Sequence, residues 1–357
     1  MKSKKYIIIT LIALAGVALG FLSAAALDNL RPAIDISEAA LHTADTPMEE
    51  ALAAAEGSFE ILVADAARFD ASLQQELAAN EKITQELAQL AQATASHKNL
   101  SDETYEKMIV NRLGKAIYTC EGNNSSIMIF ELKKEDMRGY MAKIKLKKSS
   151  ALQVTLSPDD KPQGETTSQA AKRTGAIFAV NGGGFANLTK NGVTKTVPIG
   201  NTMIKGRLVG DFMPSANNIA FAGFSKNNKL VGGVYATEAE LKASGAWQGV
   251  SFVPVLIRNW DAQKIPGKWA KARQPRTVLG QYPNGDIFFI VVDGRRSNWS
   301  AGITLEEMQI LLMRLGVMEA FNLDGGGSSA MYYNGKVLNK PSDGQQRNMA
   351  TNIVVFK

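Results

Sequence analysis

Asn322-Leu323-Asp324-Gly325-Gly326-Gly327-Ser328-Ser329 follows a helical pattern over residues 304–315 and a short, mostly apolar run over 318–321, and it precedes Ala330-Met331-Tyr332-Tyr333. An apolar run that ends in a carboxylate and then three glycines places Asp324 where a buried strand opens into a turn. Three glycines leave no side chain between a ligand and the backbone, so peptide N–H groups can face an anionic oxygen. An ordinary tight turn, with Gly at positive φ and Asp and Ser bonding locally, would read the same way. Phe178-Ala179-Val180-Asn181-Gly182-Gly183-Gly184-Phe185 repeats the step from strand to glycine turn. The expectation is that the two turns face one another across a single cleft.

Around these turns the rest of the chain from residue 115 reads as strands and hairpins. Residues 126–132 and 141–146 are strand-like, the second alternating apolar and basic as a half-exposed strand does. Pro283-Asn284-Gly285-Asp286 and Asn334-Gly335 are hairpin turns between apolar runs, and residues 351–356 form the last strand. Two helices are convincing, starting near Thr167 and Thr304. The fold class is α+β with mixed or mainly antiparallel sheets and few helices, preceded by a transmembrane helix and a helical stalk.

Composition narrows the chemistry. Both histidines, His42 and His97, precede the glycine turns, and Cys120 is the only cysteine. A Ser-His-Asp triad, a Cys-His pair and a His-based zinc site at the turns are therefore excluded. Carboxylates, arginines, amides, hydroxyls and backbone remain.

The order FAVNGGGF, QPRTVLG, IVVDGRRSNWSAGITLEEM, FNLDGGGSSAM and QRNMATNIVVF resembles the phosphodiester glycosidase family. Its animal member is the lysosomal uncovering enzyme that removes N-acetylglucosamine from a mannose phosphate. The resemblance covers about residues 120–357 and implies a hydrolase acting on a glycosyl phosphodiester. Such a reaction places positive charge on the anomeric carbon while a phosphomonoester departs, so arginines and backbone donors matter more than a strong acid. Arg276 and Arg295 suit the phosphate, because a guanidinium grips two oxygens and stays charged. Asp324, and after it Asp293, are the candidates for nucleophile or base, with Arg276 as the third catalytic residue. Asn181 and Asn322 are expected to hold sugar hydroxyls. Gly182, the amides of Gly325, Gly326 and Gly327, Ser328 and Arg347 complete the substrate site. The family often has an aromatic residue where this chain has Gly184, which removes sugar stacking at that position.

Two other readings use the same residues. A non-catalytic phosphoglycan-binding protein would need the arginines and turns but gains nothing from Asp324 and Asp293 in the cleft. A metal-dependent phosphoesterase would need more convergent carboxylates. No cofactor or metal is called for, although a Ca²⁺ ion at Asp324 is compatible with the sequence.

At the other end, Lys2, Lys4 and Lys5 precede an uncharged run over residues 6–26. As a helix this run is about 30 Å long, enough to cross a bilayer. The basic flank orients it so that the following chain is extracytoplasmic, in a periplasm or at a cell surface. Residues 1–27 are read as an anchor, with a cleaved signal peptide ending in Ser23-Ala24-Ala25-Ala26 as the alternative. Residues 28–114 are rich in Ala, Leu, Glu and Gln and are read as a helical stalk or small hairpin, with breaks at Pro47 and Gly57. Residues 115–357 are the catalytic part. Residues 1–114 carry 9 Lys and Arg against 16 Asp and Glu, and residues 115–357 carry 31 against 18. A basic part outside a membrane points to a phosphorylated glycan as partner, on a cell-surface polysaccharide or wall polymer, and no signature of nucleic-acid binding accompanies it.

Overall fold

The apolar hairpin Arg276–Gln281 and Ile287–Val292 is buried at every residue, which is why Ile287-Phe288-Phe289-Ile290-Val291-Val292 does not alternate with polar side chains. It forms the centre of an eight-stranded sheet, flanked on one side by Arg138–Leu146 and on the other by Glu319–Leu323. The computed structural model describes residues 48–95 and 102–357 apart from 217 and 218. The expected anchor, residues 1–27, lies outside them. No described helix is long and apolar enough to cross a membrane.

Both faces of the large sheet are covered. Ile127, Ile144, Leu279, Phe289 and Leu323 on one face pack against two five-stranded sheets through Val154, Phe178, Val180, Phe224, Val250 and Ile353. Met141, Val278, Phe288, Ile290 and Ala320 on the other face pack under the helix Leu305–Arg314, through Leu305, Met308 and Leu312. Every described strand pairing is antiparallel, in line with the expected α+β class. The helices expected near Thr167 and Thr304 run over Thr167–Thr174 and Leu305–Arg314. Each begins with a capping box, Thr166 with Gln169 and Thr304 with Glu307, so the first backbone N–H groups have partners. Both expected hairpin turns are present, with Asn334 and Gly335 at positive φ as their turn requires.

Three points differ from the sequence reading. Gly57 does not interrupt the helix Met48–Ala95, because one glycine costs only about 1 kcal/mol in a run of strong helix formers. Lys143 is not on the exposed face of a half-exposed strand: it is 3% exposed and its Nζ lies 2.5 Å from Asp286 and 3.5 Å from Glu106. The helix Asp102–Leu113, assigned to the stalk, seats Ile109 fully buried among Leu132, Met141 and Ile290. Contacts divide the chain after Glu81, and the unit from Lys82 onward includes this helix. A fragment starting at residue 115 is therefore expected to lose the cover over this core and to unfold at lower urea than one starting at residue 102. Ile109→Ala should lower stability by about 2–5 kcal/mol, read from the urea midpoint.

Candidate functional site

The two glycine turns meet at one end of the sheets, where the strands Phe178–Asn181 and Glu319–Leu323 stop. They do not face one another across a cleft; they touch. The Asp324 N–H donates to the Gly182 carbonyl at 3.3 Å, and Asn181 Nδ2 donates to the Asp324 carbonyl at 2.6 Å. Asn181 Oδ1 accepts from Thr277 Oγ1 at 2.8 Å and from the Ala330 N–H at 3.1 Å. Asn181 is fully buried, so it positions the turn and is not placed to hold a sugar hydroxyl.

Gly182 is likewise structural. Its N–H donates to Thr351 O at 3.0 Å, and a Cβ there would overlap Thr351. Asn322, 2% exposed, donates from Nδ2 to Val253 O at 2.6 Å and so holds the neighbouring loop, while its buried Oδ1 has no hydrogen-bond partner. Asp293 corrects the sequence reading most clearly. Trp299 Nε1 donates to its Oδ2 at 2.8 Å, Asn339 Nδ2 to its Oδ1 at 3.0 Å, and the Lys340 N–H to both oxygens at 2.9 and 3.1 Å. A carboxylate 1% exposed and filled by three donors has no lone pair directed at a substrate. Asn339 also donates to Ser329 O at 2.9 Å, so Asp293 acts as an anchor beneath the glycine turn.

What the structure does bring together is Asp324, the glycine turn and three arginines. Each glycine abuts a different guanidinium-bearing residue. A Cβ on Gly325 would press on Pro275 O at 2.8 Å with Arg276 Cδ at 3.9 Å. One on Gly326, where φ is +59°, would lie 3.0 Å from Arg295 Nη2. One on Gly327 would collide with Arg347 and Asp343. The Gly326 N–H is not available to a ligand, because it donates to Pro275 O at 2.9 Å.

Arg276 is buried at 9% exposure, and its Nη2 donates to Ala272 O at 2.9 Å. No carboxylate among the described residues pairs with it. Burial, and secondarily repulsion from Arg295, lower its pKa to about 10. Arg295 is exposed and bonded to Gln274 Oε1 at 2.7 Å, again without a carboxylate partner. Arg347 pairs with Asp343 at 2.5 Å and points Nη1 at Ser328 Oγ at 3.4 Å. Arg276 and Arg295, crowded and without carboxylate partners, form with Arg347 a site for an anion.

Asp324 is the carboxylate of this group that is not filled by donors. Burial raises its pKa from 3.8 to about 6, against the opposing effects of the Ser328 hydroxyl, the Arg347 charge and the Gly325 N–H. A carboxyl group that changes charge near pH 6 is suited to acid–base or nucleophilic work. Sequence reasoning missed Asp343, Asn339 and Thr277 as members of the site. Thr277 lay inside a quoted motif, but nothing local distinguishes Asp343 or Asn339 from loop residues.

The family model for the phosphodiester glycosidases matches residues 174–356. This chain belongs to the phosphodiester glycosidase family. Among its curated relatives, N-acetylglucosamine-1-phosphodiester alpha-N-acetylglucosaminidase of Bos taurus is 30% identical over 200 residues, which cover 52% of this chain and 36% of that protein. The SPbeta prophage-derived uncharacterized protein YomE of Bacillus subtilis is 30% identical over 195 residues, covering 54% of this chain and 29% of YomE. The chain thus spans about a third of the length of the curated relatives it matches. The zebrafish N-acetylglucosamine-1-phosphodiester alpha-N-acetylglucosaminidase catalytic domain, auto-inhibited by its pro-peptide, superposes with a TM-score of 0.52 at 20% identity, over 68% of this chain and 86% of that one. That likeness shows a shared fold.

Anchoring and chemistry separate by stability. Asp293→Asn places an N–H against groups that donate, so it is expected to destabilise the protein by about 1–3 kcal/mol, whereas Asp324→Asn should not. Urea unfolding at neutral pH compares the two.

Proposed function

We propose that this phosphodiester glycosidase hydrolyses a glycosyl (sugar-1-) phosphodiester, releasing free sugar and leaving a phosphomonoester on the other fragment. The observation that carries this is Asp324: an underbonded carboxyl group with a pKa of about 6, beside a glycine turn ringed by Arg276, Arg295 and Arg347. The diester phosphate rests against the arginines, where its negative charge offsets the repulsion between Arg276 and Arg295. Asp324 then acts on the anomeric carbon, as nucleophile or as the base that takes a proton from water. The C1–O bond breaks, the bridging oxygen leaves with the phosphate, and the oxygen of water ends on the sugar. The departing phosphomonoester is already a stable anion, and the arginines stabilise its growing charge. N-Acetylglucosamine is the first sugar to try, because the bovine relative's name specifies it.

The setting we propose is extracytoplasmic. Residues 1–27 would hold the protein in a membrane, and the substrate would be a cell-surface polysaccharide or wall polymer, in keeping with the basic charge of residues 115–357. Membrane fractionation with N-terminal sequencing tests the anchor: the expected product is a membrane-bound chain with its original N-terminus, and a soluble chain beginning near Leu27 would overturn it.

Asp324→Asn is expected to lower kcat on a sugar-1-phosphodiester by at least about a hundredfold while substrate still binds. The wild-type rate should climb with pH up to about 6 and then level off, since the ionised form is the active one. Stability should run the other way. The folded pKa of about 6 lies above the ordinary 3.8, so the stability tied to the protonated carboxyl is complete below pH 3.8 and lost as pH rises through about 6. Asp324→Asn should therefore raise Tm at pH 7.5 and change it little at pH 3.5. Hydrolysis in ¹⁸O water should label the anomeric oxygen; label on phosphate would make the enzyme a phosphodiesterase of another kind.

A further inference from the structure

The strands that reach the glycine turns have their other ends at a separate pole. The Gly184 N–H donates to Ser251 O and the Gly182 N–H to Thr351 O, the partner position of Leu156. The strands Ala246–Phe252 and Leu152–Leu156 therefore meet the turns at one end and leave Trp247 and Leu152 at the other. Likewise Arg276–Gln281 has Arg276 at the turns and Gln281 at its far end, about 17 Å along the strand.

Lysines collect at this pole and carboxylates do not. A cavity of about 450 Å³ is lined by Lys145 and Lys229, and a second of about 410 Å³ by Lys205 and Lys226. The turn 225–229 stands between them. Lys148 adjoins it, because its carbonyl accepts from Asn228 Nδ2 at 2.9 Å. None of these five lysines pairs with a carboxylate among the described residues, whereas Lys147 pairs with Glu121. Asp286 is the carboxylate that lines one of the cavities, and Lys143 answers its charge at 2.5 Å.

The turn that carries Lys226 and Lys229 is pinned. The Ser225 N–H donates to Lys229 O at 2.8 Å, and the Asn228 N–H to Ser225 O at 3.0 Å. Buried Gln281 donates from Nε2 to Asn228 O at 3.2 Å and accepts at Oε1 from the Leu230 N–H at 3.0 Å. Like charges are thus held together against their repulsion, which an anion between them would relieve. No arginine among the described residues lines either cavity, so the fork that orients a single phosphate is missing. Ammonium groups attract phosphate as point charges and tolerate its movement. Two concave basic sites on either side of one turn suit a chain that carries charge at intervals. None of the exposed large apolar side chains among the described residues lies on this turn to enter a lipid layer.

We propose that this pole is a second anion site, which holds a linear polymer of phosphates without cleaving it through Lys145, Lys205, Lys226 and Lys229. A polymer held there leaves the glycine turn open at the opposite end of the strands. The site is independent of the hydrolase reading, because none of its lysines reaches Asp324.

The test is fluorescence anisotropy of a labelled short-chain inorganic polyphosphate titrated with the full chain. Binding should be saturable in about 0.15 M salt. The double variant Lys226→Glu with Lys229→Glu should weaken it about tenfold or more and make its salt dependence shallower. Its hydrolysis of a soluble sugar-1-phosphodiester should be unchanged. Lys190→Glu with Lys195→Glu, on the hairpin that follows Gly184, changes the net charge equally and should bind as wild type. Thermal unfolding checks each variant, and Lys145→Gln with Lys205→Gln decides if the first pair fails to fold. Absence of saturable binding, equal affinity in wild type and the Lys226/Lys229 variant, or an equal loss in the Lys190/Lys195 variant overturns the site. Vesicles of phosphatidylglycerol bound as tightly as polyphosphate, and released by the same double variant, would overturn the polymer in favour of a membrane.

Discussion

The site depends on one buried amide. Asn181 touches the large sheet through Thr277, the second sheet through Ala330, and the glycine turn through the carbonyl of Asp324. With 0% exposure, none of these bonds can be replaced by water at the surface, so all three partners must be placed together or each is left with an unmet polar group. Thr277 is available because it lies on the same face of its strand as the core residue Leu279, opposite Arg276 and Val278. One strand therefore sends a hydroxyl to the turn from one face and a guanidinium towards the Ala272 carbonyl from the other.

Two aspartates that look alike in sequence are made different by their surroundings. Asp293 is ringed by Trp299, Asn339 and the Lys340 N–H, which satisfy its charge inside the protein, and Trp299 is itself covered by Lys340 Nζ at 3.4 Å from its ring centroid. Asp324 is partly buried and has fewer donors, so desolvation outweighs them and raises its pKa. An incompletely satisfied carboxyl group reduces stability above its pKa, and so does a buried arginine without a counter-ion. Such residues concentrate where binding and chemistry need them.

The covered sheet makes this possible. Helix Leu305–Arg314 on one face and the smaller sheets on the other cover the central strands that carry the site. The helix is fixed at its start by Thr304 and Glu307, and its first turn follows the Gln274–Ile303 bridge that lies beside Arg276. Backbone placement thus passes from a capping box to a guanidinium within a few residues.

Short-range chemistry was legible without coordinates. The two glycine turns, the Asn334-Gly335 and Pro283–Asp286 hairpins, the capped helices and the order of the motifs all rest on conformational preferences within a few residues, and each is where the sequence places it. The strands between residues 203 and 252 escaped notice because they lie in a sheet of their own and carry no turn signal as strong as Asn-Gly. What only the tertiary structure decided is which polar side chains remain free. Asn181, Asn322 and Asp293 have the composition of ligand-binding groups, but partners 143, 69 and 46 residues away engage them. Asp324 escapes that fate because no comparable set of donors folds against it. A sequence names donors and acceptors, and folding determines which of them pair with one another.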